Sequence, residues 1–303
     1  MTLSNRKILR TLLCLLAGTL YAVCLSACDA KEPLSENRDA EIESPVIAND
    51  LSNQKVTAIA EDTQGHIWIG TFRGLNKNNV HDYHQYFCTD DSLGLPDNQI
   101  THLLRDSKNR FWVGTVNGVC LYTDKDNFRI IPIEADNKNV RQILEDRNGR
   151  IFLNTGFQLY AYHPREEKIT CVLPEISPGN AFYAQCHIAP DNNLWVMTST
   201  GLRCYDPSTL QLKESVALSG YPYYSYLHNN ELWITGNHTL SIFDTRTHSF
   251  KPLPQPIAHN TTLCNADIDY IHPYGNNGLL LNTARHGMFY YLSLIHISEP
   301  TRP

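Results

Sequence analysis

The sequence predicts an all-β fold, a β-propeller of four-stranded blades with about six blades present and the ring incomplete. Three observations carry it. A motif repeats along most of the chain, its spacing is about 40 residues, and most copies place one large aromatic at the same point. A four-stranded blade has that period, and one aromatic per blade can fill the gap between neighbouring sheets.

The repeat is clearest in its first two copies. Residues 56–75 read VTAIAEDTQGHIWIGTFRGL and residues 100–119 read ITHLLRDSKNRFWVGTVNGV. Asp62 falls on Asp106, Trp68 on Trp112, Gly70 and Thr71 on Gly114 and Thr115, and Gly74 on Gly118. The loops ahead of them match as well, LSNQ at 51–54 and LPDN at 95–98. Later copies are looser. One keeps Asp146, Gly149, Phe152 and Thr155, and the next keeps Trp195, Thr198 and Gly201 with Ala189 in the Asp position. A shortened copy retains Trp233 and Leu240, and the last has Leu280 and Thr283. The anchors 68, 112, 152, 195, 233 and 280 lie 44, 40, 43, 38 and 47 residues apart.

Each blade element follows from its residues. Val56, Ala58 and Ala60 alternate with Thr57, Ile59 and Glu61, as an inner strand requires. Asp62 to Gly65 is a turn, because Asp bonds nearby backbone N–H groups and Gly accepts positive φ. A second strand centres on Trp68, and Gly74 allows a tight turn into a third. Four residues beyond that Gly position stand Tyr122, Tyr162, Tyr205 and Phe243, with Asn78 in the first copy. A fourth strand such as residues 128–133 completes the blade, and the Pro-rich residues 251–256 punctuate an edge.

The N-terminus reads as a targeting segment. Arg6, Lys7 and Arg10 precede an apolar run of 14 residues, Leu12 to Leu25, too short for a comfortable membrane span. It ends in Leu25-Ser26-Ala27-Cys28, which resembles a lipobox whose cysteine receives diacylglycerol. Residues 1–28 are therefore expected to be a lipoprotein-type signal peptide with Cys28 as the lipidation site, and the polar residues 29–49 a flexible tether. The expected location is the periplasm, anchored to a membrane. Without the leader the formal charge moves from −6 to −9, which disfavours a nucleic-acid partner.

Composition and motifs exclude several chemistries. Hydrophobic residues make up 42% and charged residues 18%, enough for a packed core. Cys88, Cys120, Cys171, Cys186, Cys204 and Cys264 show no metal-ligand spacing and read as scattered buried thiols, so no metal site is expected. No nucleophile elbow, His-Glu-x-x-His or phosphate loop is present. No catalytic residue and no cofactor is assigned, and this chain is not expected to be an enzyme.

EDTQGHIWIGTFRGL, RDSKNRFWVGTVNGV and the loop GLPDNQI at 94–100 resemble two-component-regulator propeller repeats. The resemblance covers residues 50–291. It implies the periplasmic sensor region of a Bacteroides-type hybrid two-component system. That sensor would recognise glycan fragments and control polysaccharide-utilisation genes, and its parent would be a membrane-spanning histidine kinase, homodimeric. Two other readings stand beside it: a lipid-anchored glycan-binding or scaffold propeller lipoprotein, and a propeller hydrolase or lyase. Residues 292–302, LSLIHISEPTR, resemble the conceptual translation of a sequencing adapter, so residues 292–303 are expected to be an artefact and the chain a truncated fragment.

In a propeller, the loops entering each first strand share a face with those joining the second and third strands. Asn53, Gln54, Gln99, Asn139 and Asn237 fall there. The expected ligand-binding residues on that face are Phe72, Arg73, Asn98, Asn117, His238, Arg285 and His286. Such side chains suit the hydroxyls and ring faces of a small glycan or oligosaccharide.

Overall fold

Each sequence repeat folds as an antiparallel meander of four strands, in a computed structural model that describes residues 46–79, 81–89, 94–123, 126–176, 184–275, 278–292 and 297–298. Cys28, the leader, residues 29–45 and most of the tail lie outside the described residues. Strand β1 (Val46–Ala48) comes first. Blade 1 is β2 (Val56–Glu61), β3 (Ile67–Thr71), β4 (Gly74–Asn79) and β5 (Asp82–Tyr86). Blade 2 is β6 (Ile100–Arg105), β7 (Phe111–Thr115), β8 (Gly118–Thr123) and β9 (Asn127–Ile131). Blade 3 is β10 (Gln142–Glu145), β11 (Ile151–Asn154), β12 (Leu159–His163) and β13 (Lys168–Leu173). Blade 4 is β14 (Gln185–Ile188), β15 (Leu194–Thr198), β16 (Gly201–Tyr205) and β17 (Leu212–Ala217). Blade 5 is β18 (Pro222–His228), β19 (Glu231–Gly236), β20 (Thr239–Asp244) and β21 (Ser249–Lys251). Blade 6 is β22 (Ile268–Tyr274), β23 (Gly278–Thr283), β24 (Gly287–Leu292) and β25 (Ile297–Ser298). The fold is a β-propeller of six blades.

Two features were not expected. Val46–Ala48, inside the segment read as tether, pairs antiparallel with the outer strand of blade 1, Val46 opposite Gln85. Three residues are too few to show alternation, but they satisfy N–H and C=O groups that an edge strand would leave open. The link from blade 5 to blade 6 holds two short helices, α1 (Gln255–Ala258) and α2 (Thr261–Cys264). Pro256 sits in the first turn of α1, where its missing N–H costs nothing, and Asn260 caps α2 by accepting from the Leu263 N–H. Of the six cysteines outside the leader, Cys120, Cys186 and Cys204 are buried, whereas Cys88 and Cys171 are exposed rather than buried.

The Asp of the repeat has two tasks. Asp62 accepts the backbone N–H groups of Gln64 and His66 at 2.8 and 3.0 Å, which closes the turn. Its other oxygen accepts the Trp68 indole N–H at 2.9 Å. Asp106 does the same for Lys108, Arg110 and the Trp112 indole, the last at 2.8 Å. Burial alone would push the Asp62 carboxyl up, but the Trp68 indole and the His66 and Gln64 N–H groups outweigh it and hold it below the ordinary value. The left-handed turn position is filled by Gly65, Asn109, Gly149 and Asn192, at φ 84°, 62°, 72° and 68°. In blade 3 the anchor is Phe152, whose side chain has no N–H; Asp146 keeps the Arg150 side chain on the oxygen that in Asp106 serves both Arg110 and the Trp112 indole. In blade 4 the turn survives with Ala189 in the Asp position, and Asp191 caps the Asn193 N–H. The buried Trp195 indole nitrogen is then left without a hydrogen-bond partner among the described residues.

The anchors join one blade to the next. Trp68 packs edge-on against Tyr122 with ring centroids 4.7 Å apart, Trp112 against Tyr162 at 4.9 Å, and Trp195 against Phe243 at 5.0 Å. Trp233 meets Tyr291 at 5.8 Å. Each acceptor ring is the third-strand aromatic of the following blade. The second-strand side chains facing the preceding blade are buried in blades 2 to 6, among them Phe111, Ile151, Leu194, Leu232 and Leu279.

Side-chain amides tie the inner strands together. Gln142 donates to the Cys186 carbonyl and accepts from the Cys186 N–H, and Gln185 does likewise with the Tyr223 carbonyl and the Ser225 N–H. His187 bonds the Ser225 hydroxyl at 2.8 Å. Enclosure by protein pushes the imidazoles of His102 and His187 down to about 4, with the His102 bond to the Ile143 backbone opposing the shift.

Among the described residues, blades 6 and 1 do not pack together as consecutive blades do. Ile59 and Ile67, on the face of blade 1 turned away from blade 2, are 64% and 37% exposed. On blade 6, Tyr270 and Tyr274 are 53% and 54% exposed.

Asp106→Ala is expected to destabilise the fold by about 2–4 kcal/mol, because it orphans a buried indole and two turn N–H groups together. Ala189→Asp should stabilise by about 1 kcal/mol by supplying the acceptor that Trp195 lacks. Urea unfolding of the two variants beside the parent chain checks both signs.

The unfolded chain takes up protons on His102 and His187 near the ordinary value of 6.5, whereas the folded chain does so only near 4. Stability is therefore full above pH 6.5 and falls as the pH drops toward 4. Thermal unfolding at pH 7 and pH 5 should differ by about 5 °C or more, and His187→Asn should reduce the difference.

Candidate functional site

A threonine shapes one end of most blades. Three residues after the anchor stand Thr71, Thr115, Thr155, Thr198 and Thr283. Each hydroxyl donates across the turn between the second and third strands, to the carbonyls of Gly74, Gly118, Gln158, Gly201 and Gly287 at 2.7–3.2 Å. Several also accept a turn N–H, from Arg73, Asn117, Thr200 and His286. With the backbone satisfied internally, the side chains at the turn tip point outward. Phe72, Arg73, Asn117, Arg285 and His286 are accordingly exposed.

Blade 5 breaks this pattern. Gly236 replaces the Thr, and a Cβ there would stand 2.7 Å from the Tyr221 carbonyl oxygen. His238 takes the left-handed conformation at φ 52°. Its N–H donates to Asp267, 3.2 Å away on the loop that leads into blade 6. Asp267 also accepts the Tyr223 hydroxyl at 3.5 Å and lies 3.4 Å from His238 Nδ1. Burial first, and then the charges of Asp267 and Asp269, push the Tyr223 hydroxyl up to about 12. The Asp267 carbonyl accepts the Ala284 N–H at 3.0 Å, which holds the turn of residues 284–286 beside it.

This arrangement encloses a cavity of about 240 Å³ lined by His238, Asn265, Ala266, Asp267, Ala284, Arg285 and His286. His238 Nδ1 lies 2.9 Å from the Asn265 carbonyl oxygen. A carbonyl can only accept, so Nδ1 carries a proton, and in the neutral ring Nε2 is then the acceptor. Three of the seven sequence-predicted ligand residues, His238, Arg285 and His286, thus meet in one place. The other four do not. Phe72 lies under the Lys55 ammonium, 4.5 Å from its ring centre, and Arg73 is beside it on blade 1. Asn117 sits on the blade 2 turn. Asn98 uses its side-chain oxygen to accept the Cys88 N–H at 2.7 Å, a loop-closing bond.

Asn265 and Asp267 were not singled out from the sequence. The available signal was the interruption of the Thr pattern at Gly236, which leaves a turn N–H in need of another acceptor. A second cavity, of about 340 Å³, opens beside the Asp62 turn, lined among others by Lys77, Arg105, Tyr122 and Asp126. Its Lys77, Arg105 and Asp126 already have partners. Asp126 accepts the Tyr86 and Tyr122 hydroxyls and lies 3.9 Å from Lys77, and Arg105 donates to the Asp62 carbonyl. Among the described residues no group of three or more His, Cys, Asp or Glu side chains gathers to hold a metal ion. No helix among them is long and apolar enough to cross a membrane.

The two component regulator propeller profile matches residues 50–73 and 94–117, the two repeats most similar to each other. No curated protein matches the chain significantly. Among solved structures the chain is similar to the extracellular domain of BT3049 from B. thetaiotaomicron, described as a hybrid two component system. The TM-score is 0.67 at 18% identity over 86% of this chain, which spans only 37% of that one. It is also similar to virginiamycin B lyase from Staphylococcus aureus, with a TM-score of 0.63 at 17% identity, over 85% of this chain and 88% of the lyase. The dihydro-heme d1 dehydrogenase NirN aligns with a TM-score of 0.56 at 11% identity, over 82% of this chain and 57% of that one. At these identities the likeness is one of fold.

Proposed function

We propose, for a propeller whose first two blades are two-component regulator propeller repeats, that this chain is the extracytoplasmic ligand-sensing part of a hybrid two-component receptor. Its ligand is a glycan fragment, and the response is control of polysaccharide utilisation. The observation that carries the reading is the convergence of His238, Arg285 and His286 in one rim cavity of a chain with these repeats. The chemistry suits the task. An acceptor on His238, donors on Arg285 and the ring nitrogens of His286 can read sugar hydroxyls, while Asp267 is occupied in holding the loops. The membrane connection runs either through a lipid on Cys28 or through a spanning helix of the parent protein, which works as a homodimer. The similarity to the extracellular domain of a hybrid two component system supports a location outside the cytoplasm.

Isothermal titration against fragments of plant and host polysaccharides should find binding. His238→Ala should weaken it about tenfold or more, and Arg73→Ala, away from the cavity, should leave it within about twofold. Unchanged affinity in the His238 variant would remove the cavity from the proposal. For the anchor, radiolabelled palmitate should be incorporated into the expressed chain and lost in Cys28→Ser; label retained in that variant would exclude Cys28.

A further inference from the structure

We infer that the glycan unit seated between blades 5 and 6 carries an anionic group, a carboxylate or a sulfate, and that Arg285 binds it. This rests on the reading of the cavity as a sugar site. In a chain whose formal charge is −6, the cavity lining sets one guanidinium, Arg285, beside one carboxylate, Asp267. Asp267, the one carboxylate lining the cavity, already accepts the His238 N–H and the Tyr223 hydroxyl, and the His238 ring lies 3.4 Å from it. Arg285 forms no ion pair among the described residues and is exposed at the turn tip. A guanidinium is a pure donor whose forked geometry matches two oxygens of a carboxylate or sulfate, and bonds of that kind are about twice as strong as neutral ones.

His238 supplies the complementary half. With Nδ1 committed to the Asn265 carbonyl, the neutral ring offers an acceptor at Nε2, which suits a sugar hydroxyl and not an anionic oxygen. The pair therefore selects a unit that presents a hydroxyl donor and an anion together, a uronate or a sulfated sugar. At about 240 Å³ the cavity is smaller than the ~300 Å³ from which sites for drug-sized ligands begin. It fits a single ring or chain end rather than an enclosed oligosaccharide.

The test follows the imidazole resonances of His238 and His286 by NMR in the full chain, titrated separately with glucuronate, N-acetylglucosamine 6-sulfate and glucose. One or both acidic probes should shift these rings and bind about tenfold tighter than glucose. Which of them does so distinguishes a carboxylate from a sulfate. Arg285→Ala should abolish the preference, and Arg285→Lys should keep part of it. His238→Gln should weaken all probes alike. Glucose binding as tightly as both acidic probes, or a preference that survives Arg285→Ala, overturns the inference and leaves the sugar site standing. Rings that respond to none of the three overturn the sugar site as well.

Discussion

The propeller depends on one contact repeated around the array, an indole on the second strand of one blade set against an aromatic ring on the third strand of the next. Neighbouring twisted sheets diverge, and a large flat side chain fills the space between them. An indole buried there brings a polar N–H with it. In the first two blades the turn Asp accepts that N–H while closing its own hairpin, so one carboxylate couples local turn geometry to the packing between blades. Asp, Trp and the later aromatic are thus three parts of one device, and their spacing is the spacing of the repeat.

Departures from the device show what each part does. Without an indole, as at Phe152, the carboxylate keeps its turn N–H groups and an arginine like the one Asp106 also binds. Without the carboxylate, as at Ala189, the turn survives through an Asn in the left-handed position and a cap from Asp191, but the indole loses its acceptor. The departure at Gly236 has a different result. With no Thr to close the turn, the His238 N–H takes an oxygen from the next blade, and that bond draws two loops into a cavity. The candidate site therefore sits where the repeat is least regular.

The inner strands show a related economy. They belong to separate sheets, and the amides of Gln142 and Gln185 bridge them by meeting both a backbone N–H and a carbonyl of the adjacent strand. At the ends of the array the pattern fades on both sides of the same junction. Blade 1 has Asn78 in the ring position, blade 6 has Leu280 in the indole position, and the faces carrying Ile59 and Tyr270 are exposed.

Much of this was legible in the sequence. Period, blade boundaries, turn residues and the buried anchors followed from residue types whose preferences are local: Asp and Gly in turns, alternation in strands, one aromatic per unit. The rim position of His238, Arg285 and His286 followed from counting strands. Only the tertiary structure could decide that these three meet and that Phe72, Arg73, Asn98 and Asn117 lie elsewhere. Their meeting depends on Asp267, which lies 29 residues beyond His238 and past two short helices. It depends equally on a glycine whose missing Cβ matters only because Tyr221 passes close by. Local preference is written residue by residue along the chain. A hydrogen bond between loops of different blades exists only once packing has brought those blades together.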